Sequence, residues 1–172
     1  MAFSVGDRVV HPKHGAGQIT DIEHQELVEG FDRYYVIKIP DQNTIVCVPV
    51  SQIDKLGVRP VMSPSKVPQV LDVLRSRPRR LSTNPKKRED QIRNKLKASQ
   101  PSQVAEAVRD LTWHRQQAHL TKIDADLLDW GRGLLASEMA LVTGIDIAEA
   151  HQTIEAALRI AMAKEPDSKE AE

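Results

Sequence analysis

Six histidines, one cysteine and 24 carboxylates are the residues from which a catalytic or metal centre would have to be built. His11 and His14 stand three apart in one short segment, a spacing that can share a metal, but no third ligand lies near them in sequence. They are expected to be surface histidines, and no metal is expected; His24 is expected on a strand. Cys47 alternates within Ile45-Val46-Cys47-Val48, so it is expected to be a buried or half-buried structural thiol. A nucleophilic cysteine would need a base and an activating field, and neither can be read here. A single cysteine also excludes an internal disulfide and a cysteine-based zinc cage. There is no P-loop, no GxGxxG and no HExxH. Asp124, Asp126 and Asp129 open a helix, where carboxylates suit the positive end and need no catalytic role. These residues point away from an enzyme and from any cofactor.

The cations say more. The chain has 24 basic and 24 acidic residues in 172, yet the balance is only global. Residues 75–97 carry ten basic groups against Glu89 and Asp90, net +8, whereas residues 1–60 are net −2 and residues 98–172 net −6. A block this basic in an otherwise acidic chain is the footprint of a polyanion site, although a charge run by itself is more often a solvated face. Only six aromatic residues are present, too few for an RNA-stacking sheet face. The apolar runs are too short to span a bilayer. The opening Met-Ala-Phe-Ser-Val-Gly-Asp lacks the basic and apolar regions of a signal peptide, so a cytoplasmic protein is expected.

Two kinds of periodicity must position this block. Residues 1–58 read as β structure, with Tyr34 to Ile39 and Thr44 to Val50 rich in β-branched and aromatic residues. Turn chemistry at Lys13-His14-Gly15, Glu29-Gly30 and Pro40-Asp41-Gln42-Asn43 separates the strands. Several short strands in under 60 residues suit a small SH3- or Tudor-like barrel. After Gly57 the period becomes helical. Ser63-Pro64 is expected to open the first helix, with Val67, Val70, Leu71 and Leu74 inward, and Asn84-Pro85 the second. Further helices are expected at about 101–119, 123–143 and 146–164. The fourth is apolar on two sides, including Ile123, and so is central. Trp130 lies on its core stripe. Residues 165–172 are expected to be a disordered tail. The fold class is therefore α+β in two domains, a barrel over 1–58 and an all-α bundle of about five helices over 63–164.

On the second helix, Lys86, Arg93 and Lys97 share one stripe opposite Ile92, interrupted by Asp90. Lys87 and Arg88 flank it at the helix start, beside free N–H groups that also favour phosphate. Trp113 lies off the main stripe of the third helix, which leaves packing against a neighbour or an exposed wedge open.

The opening Val5-Gly6-Asp7-Arg8-Val9-Val10-His11-Pro12-Lys13-His14-Gly15-Ala16-Gly17 resembles the first strand and turn of the CarD/CdnL family of bacterial transcription regulators. Val48-Pro49-Val50 with Val58-Arg59, Thr83-Asn84-Pro85-Lys86-Lys87-Arg88, and Val104 to Leu111 resemble three further segments of that family. The resemblance implies an N-terminal Tudor-like domain that docks on the RNA polymerase β subunit. It also implies a C-terminal helical domain that touches promoter DNA at the upstream edge of the transcription bubble. Family members commonly place a minor-groove wedge tryptophan where this chain has Pro85, a residue that can itself act as a small apolar wedge. Arginines that grip polymerase in the family align with Gln25 and Cys47, and Arg33, Lys38 and sheet-edge backbone are the neighbouring groups that could serve.

The expected protein is a monomeric transcription regulator without a membrane role. Its barrel holds polymerase through Gln25, Arg33, Lys38 and Cys47. Pro85, Lys86, Lys87, Arg88, Arg93 and Lys97 contact promoter DNA, mainly its phosphates and the minor groove at the bubble edge, and so modulate open-complex stability. The alternative is a protein–protein adaptor with no DNA role.

Overall fold

The computed structural model describes residues 1–170. It divides into two compact units, Met1–Val61 and Met62–Glu172.

The first unit is an antiparallel five-stranded sheet of the small Tudor-like barrel type. Its strands are β1 (Arg8–His11), β2 (Gly15–Val28), β3 (Phe31–Ile39), β4 (Thr44–Pro49) and β5 (Arg59–Pro60), in the order β4-β3-β2-β1-β5. The length of β2 makes this possible, because its start pairs with β1 and the remainder with β3, across a register shift between Ile19 and Asp21. Alternation along β3 sends Tyr35, Ile37 and Ile39 into a core with Phe3, Val9, Ile19, Val48, Ile53 and Val58. Tyr34 and Val36 point the other way and are also buried. The Tyr35 hydroxyl accepts from the Phe3 N–H at 3.0 Å, and the two rings meet edge to face. Gly17 must be glycine, since a Cβ there would run into the Lys38 backbone carbonyl oxygen on the neighbouring strand.

The second unit contains α1 (Val67–Arg75), β6 (Arg79–Arg80), α2 (Pro85–Ala98), α3 (Pro101–Gln117), α4 (Lys122–Thr143), α5 (Ile147–Met162) and β7 (Asp167–Glu170). Leu74, Ile92, Leu96, Leu111, Leu128, Leu135, Met139 and Ile154 are fully buried in one core. The two-sided α4 packs on α2, α3 and α5, as its two apolar stripes require. Trp130 is half-buried against this core. The turn that leaves α4 passes through Gly144 at φ 76°.

Three expectations need correction. Ser63-Pro64 opens a 3-10 turn, Pro64–Lys66, and the α-helix starts at Val67. Pro68 has no N–H and is tolerated only in the first turn, so the α-helical ladder cannot begin four residues earlier. Ile123 is exposed, because the residue that the first turn of α4 turns inward is its neighbour Asp124, held by Arg88 and Thr121. Within the segment 165–172 expected to be a disordered tail, Asp167–Glu170 form β7, which pairs parallel with β6. Residues 171 and 172 lie outside the described residues.

Two glycines of α4 behave oppositely. A Cβ at Gly131 would meet Val108 Cγ2 at 2.8 Å and Leu96 Cδ2 at 3.1 Å, whereas at Gly133 nothing lies within 4 Å. Alanine in a helix interior is favoured over glycine by about 1 kcal/mol, but forcing a methyl group into a packed core costs about 1–3 kcal/mol. Gly133→Ala is therefore expected to raise the urea midpoint and Gly131→Ala to lower it. A rise for both would show that α3 and α2 yield at that contact.

Candidate nucleic-acid interface

The basic helix α2 is defined at its start by local chemistry. Asn84 is the N-cap, its Oδ1 accepting from the Lys87 N–H at 3.1 Å, and Pro85 occupies the first helical position. The Asn84 N–H donates to Ser82 Oγ at 3.2 Å, which orders the approach to the helix. Pro85, Lys86, Lys87 and Lys97 are exposed, Arg93 is half-buried, and Asp90 is exposed between them. The structure thus brings Pro85, Lys86 and Lys87 together at the N-terminal turn, where the Asn84 cap already takes up the Lys87 N–H and Pro85 has none to offer.

Arg88 does not join them. It is 3 % exposed and shares the buried face of α2 with Ile92 and Leu96. Its Nη2 donates to Asp124 Oδ2 at 2.7 Å, its Nε to the same carboxylate at 3.1 and 3.2 Å, and its Nη1 to the Ser82 carbonyl at 2.9 Å. A guanidinium so enclosed cannot reach a phosphate, so Arg88 is a structural residue and not a DNA contact. The signal was present, because 88, 92 and 96 follow the i, i+4, i+8 spacing of one helix face.

Asp124 is itself fixed as the third residue of the α4 capping box with Thr121. Burial alone would raise its pKa, but the bonds from Arg88 and Thr121 outweigh burial and hold the carboxyl below its usual range. Thr121 Oγ1 also donates to Glu89 Oε1 at 3.1 Å, so the first turns of α2 and α4 are locked together. Burial, followed by the charge of Arg88, lowers the His114 pKa.

A second anchor was missed by sequence reasoning. Asp110 on α3 is 1 % exposed, and its Oδ1 accepts from the Arg79 N–H and from Arg109 Nε, both at 2.8 Å. Arg109 Nη1 donates to Ser76 Oγ at 2.6 Å. Burial pushes the Asp110 carboxyl up, against the opposing pull of Arg109. The adjacent Arg-Asp pair inside the apolar face of α3 was the available signal. It fastens the segment that carries Arg77, Arg79 and Arg80, all exposed. Lys95 is held by Glu106 at 3.0 Å. Trp113 is half-buried and lines an open cavity of about 780 Å3 with Arg80, Thr83 and Lys164.

In the barrel, Gln25, Arg33, Lys38 and Cys47 are all exposed. Cys47 is not the buried or half-buried thiol expected. Both phases of Ile45 to Val48 are apolar, and Val48 takes the inward one, as its pairing with Tyr35 requires. The register Val36↔Cys47 and Lys38↔Ile45 sets Cys47 and Lys38 on one face, and Gln25 lies two residues beyond Glu23, which is opposite Tyr34. Arg33 has the opposite parity on β3 and pairs with His24. Gln25 Nε2 donates to Glu23 Oε2 at 2.8 Å.

The His11 and His14 rings lie 4.7 Å apart, and the Lys13 N–H donates to His11 Nδ1 at 3.1 Å. Burial, then the neighbouring His14 and Lys13 charges, lower the His11 pKa to about 4. Among the described residues no group of three or more His, Cys, Asp or Glu could hold a metal ion, and no helix is long and apolar enough to cross a membrane.

Residues 3–62 match the CarD-like/TRCF RID domain family, and residues 69–155 match the CarD C-terminal domain family. The chain is 31% identical over 143 residues, 83% of its length and 94% of the relative's, to the protein named "Putative transcription factor YdeB" of Bacillus subtilis (strain 168). The chain belongs to the CarD/CdnL family of bacterial transcription regulators.

Removing one partner of a buried ion pair costs about 3–5 kcal/mol, whereas apolar replacement of both is often near neutral. Arg88→Ala is therefore expected to lower stability by that amount, and Arg88→Met with Asp124→Leu to recover most of it in urea melts. The pair also sets an acid limit. The folded pKa of Asp124 is depressed, so its contribution is complete above its unfolded value near 4 and is lost as pH falls through the folded value. Arg88 variants that keep full stability would refute the structural role.

Proposed function

We propose that the barrel tethers the chain to the RNA polymerase β subunit while the N-terminal turn of α2 contacts promoter DNA, changing the stability of the open complex. The observation that carries this reading is the pair of exposed lysines, Lys86 and Lys87, at a capped helix start in the most basic stretch of the chain. Lys and Arg on phosphate fix position without reading sequence, so the contact is to the backbone. Arg93 and Lys97 extend it along the helix, and Pro85 stands at the tip as a small apolar group beside the bubble edge. Arg88 acts behind this surface by holding α2 in place.

For the barrel, Cys47 and the exposed edge strand β4 provide an extended surface with which a partner strand can pair. Lys38 stands on the adjacent β3, Gln25 one strand further in on β2, and Arg33 lies on the opposite parity at the hairpin end. Losing two arginines at positions 25 and 47 weakens the electrostatic part of that grip. Gln25→Arg or Cys47→Arg is expected to raise the fraction of polymerase retained by the immobilised chain. Unchanged retention for both would place the polymerase contact elsewhere on the barrel.

For the helical unit, replacing Lys86, Lys87 and Arg93 with Ala is expected to weaken binding equally on unrelated DNA sequences. The log–log salt slope should fall by roughly one per lost contact. A triple variant that binds a promoter fragment as tightly as the parent at low salt would favour a protein–protein adaptor.

A further inference from the structure

The acidic end of the chain is paired with its most basic segment. Residues 165–172 carry four carboxylates and one lysine. Strand β7 runs parallel to β6, with Arg79 opposite Asp167 and Arg80 opposite Glu170. The Asp167 N–H donates to the Pro78 carbonyl at 2.8 Å, and Lys164 Nζ donates to the Arg75 carbonyl at 2.7 Å. Residues 164–170 therefore follow residues 75–80, where Arg77, Arg79 and Arg80 expose their side chains.

The two strands are held with unequal strength. Strand β6 is fastened to α3 by the buried Asp110, whose Oδ1 accepts from the Arg79 N–H. Strand β7 is held to it by a two-stranded parallel ladder with one strand of two residues. Isolated two-stranded pairings are marginal in water, and parallel ones are the weaker kind. Strand β6 is thus a fixed basic strip and β7 a removable occupant.

We propose that Arg79 and Arg80 form a phosphate-binding strip continuous with the start of α2, and that the acidic strand β7 (Asp167–Glu170) occupies it in the free protein in place of DNA. This inference rests on the reading of the helical unit as a DNA contact. Five residue steps separate Arg80 from Pro85, a reach of at most about 18 Å, so both groups serve one stretch of nucleic-acid backbone. Carboxylate and phosphate oxygens compete for the same guanidinium donors. Because the carboxylates are tethered, their effective concentration is high and they weaken DNA binding without any new partner. They also blunt its salt dependence, since the tail rather than small ions leaves the two arginines when DNA arrives.

The test compares the full-length chain with its Glu165→Gln, Asp167→Asn, Glu170→Gln variant on a double-stranded oligonucleotide across a salt series. The variant is expected to bind about three- to tenfold tighter at low salt, with a slope steeper by about one to two. A chain ending at Lys164 should behave likewise, and a thermal melt should show both folded. Adding Arg79→Ala and Arg80→Ala should abolish the gain. Equal affinity and slope for parent and variant, with DNA still bound, would overturn the tail's role and leave the DNA reading standing. A gain that survives loss of both arginines would overturn the strip. Absence of DNA binding by every form would overturn the reading beneath it.

Discussion

Burying the Arg88 guanidinium against Asp124 constrains everything on the basic side of the second unit. A charge taken out of water is costly unless its hydrogen bonds are replaced, and here they are replaced by the Asp124 carboxylate and the Ser82 carbonyl. Each partner belongs to a different piece of chain. The pair therefore fixes the start of α2, the approach at Ser82 to Asn84 and the capped start of α4 in one arrangement. With residue 88 inward, Lys86 and Lys87 must project outward from the same turn. The charged surface is an outcome of the buried one.

Charge is used in two ways along one stretch. Arg88 and Arg109 are spent inside, each against an aspartate on a neighbouring helix or on its own. Arg77, Arg79, Arg80, Lys86 and Lys87 stay at the surface. The interior arginines hold the segments that carry the exterior ones: Arg88 on α2 itself, and Arg109 through Asp110 on β6. Two aspartates so placed convert a run of like charges into a surface of defined shape, which a solvated charge run does not have.

How far the sequence revealed this depended on the range of the interaction involved. The start of α2 was legible because Asn84, Pro85 and Lys87 make their cap within four residues. The inward face of β3 was legible because alternation is local and Tyr35, Ile37 and Ile39 share one phase. Arg88 shares the i, i+4, i+8 face of Ile92 and Leu96, but its partner Asp124 lies 36 residues away, so no nearby carboxylate showed that a guanidinium could be buried there. Cys47 was misread because both phases of its strand are apolar, so only pairing with β3 selects one. Strand β7 could not be foreseen from a polar segment, since its pairing depends on a two-residue partner held in place by Asp110. The residues proposed to contact polymerase were named only through resemblance to a family, and no spacing in the chain marks them.

A chain that, as proposed, joins polymerase to DNA should mark the edge of the transcription bubble only when polymerase is present as well. Hydroxyl-radical footprinting of a promoter, with polymerase and the full-length chain, tests that most directly. The account predicts added backbone protection at the upstream edge of the bubble, absent without polymerase at the same protein concentration. It also predicts loss of that protection when Lys86, Lys87 and Arg93 are replaced by alanine. A footprint identical with and without the chain, or one that the triple variant reproduces in full, would contradict it.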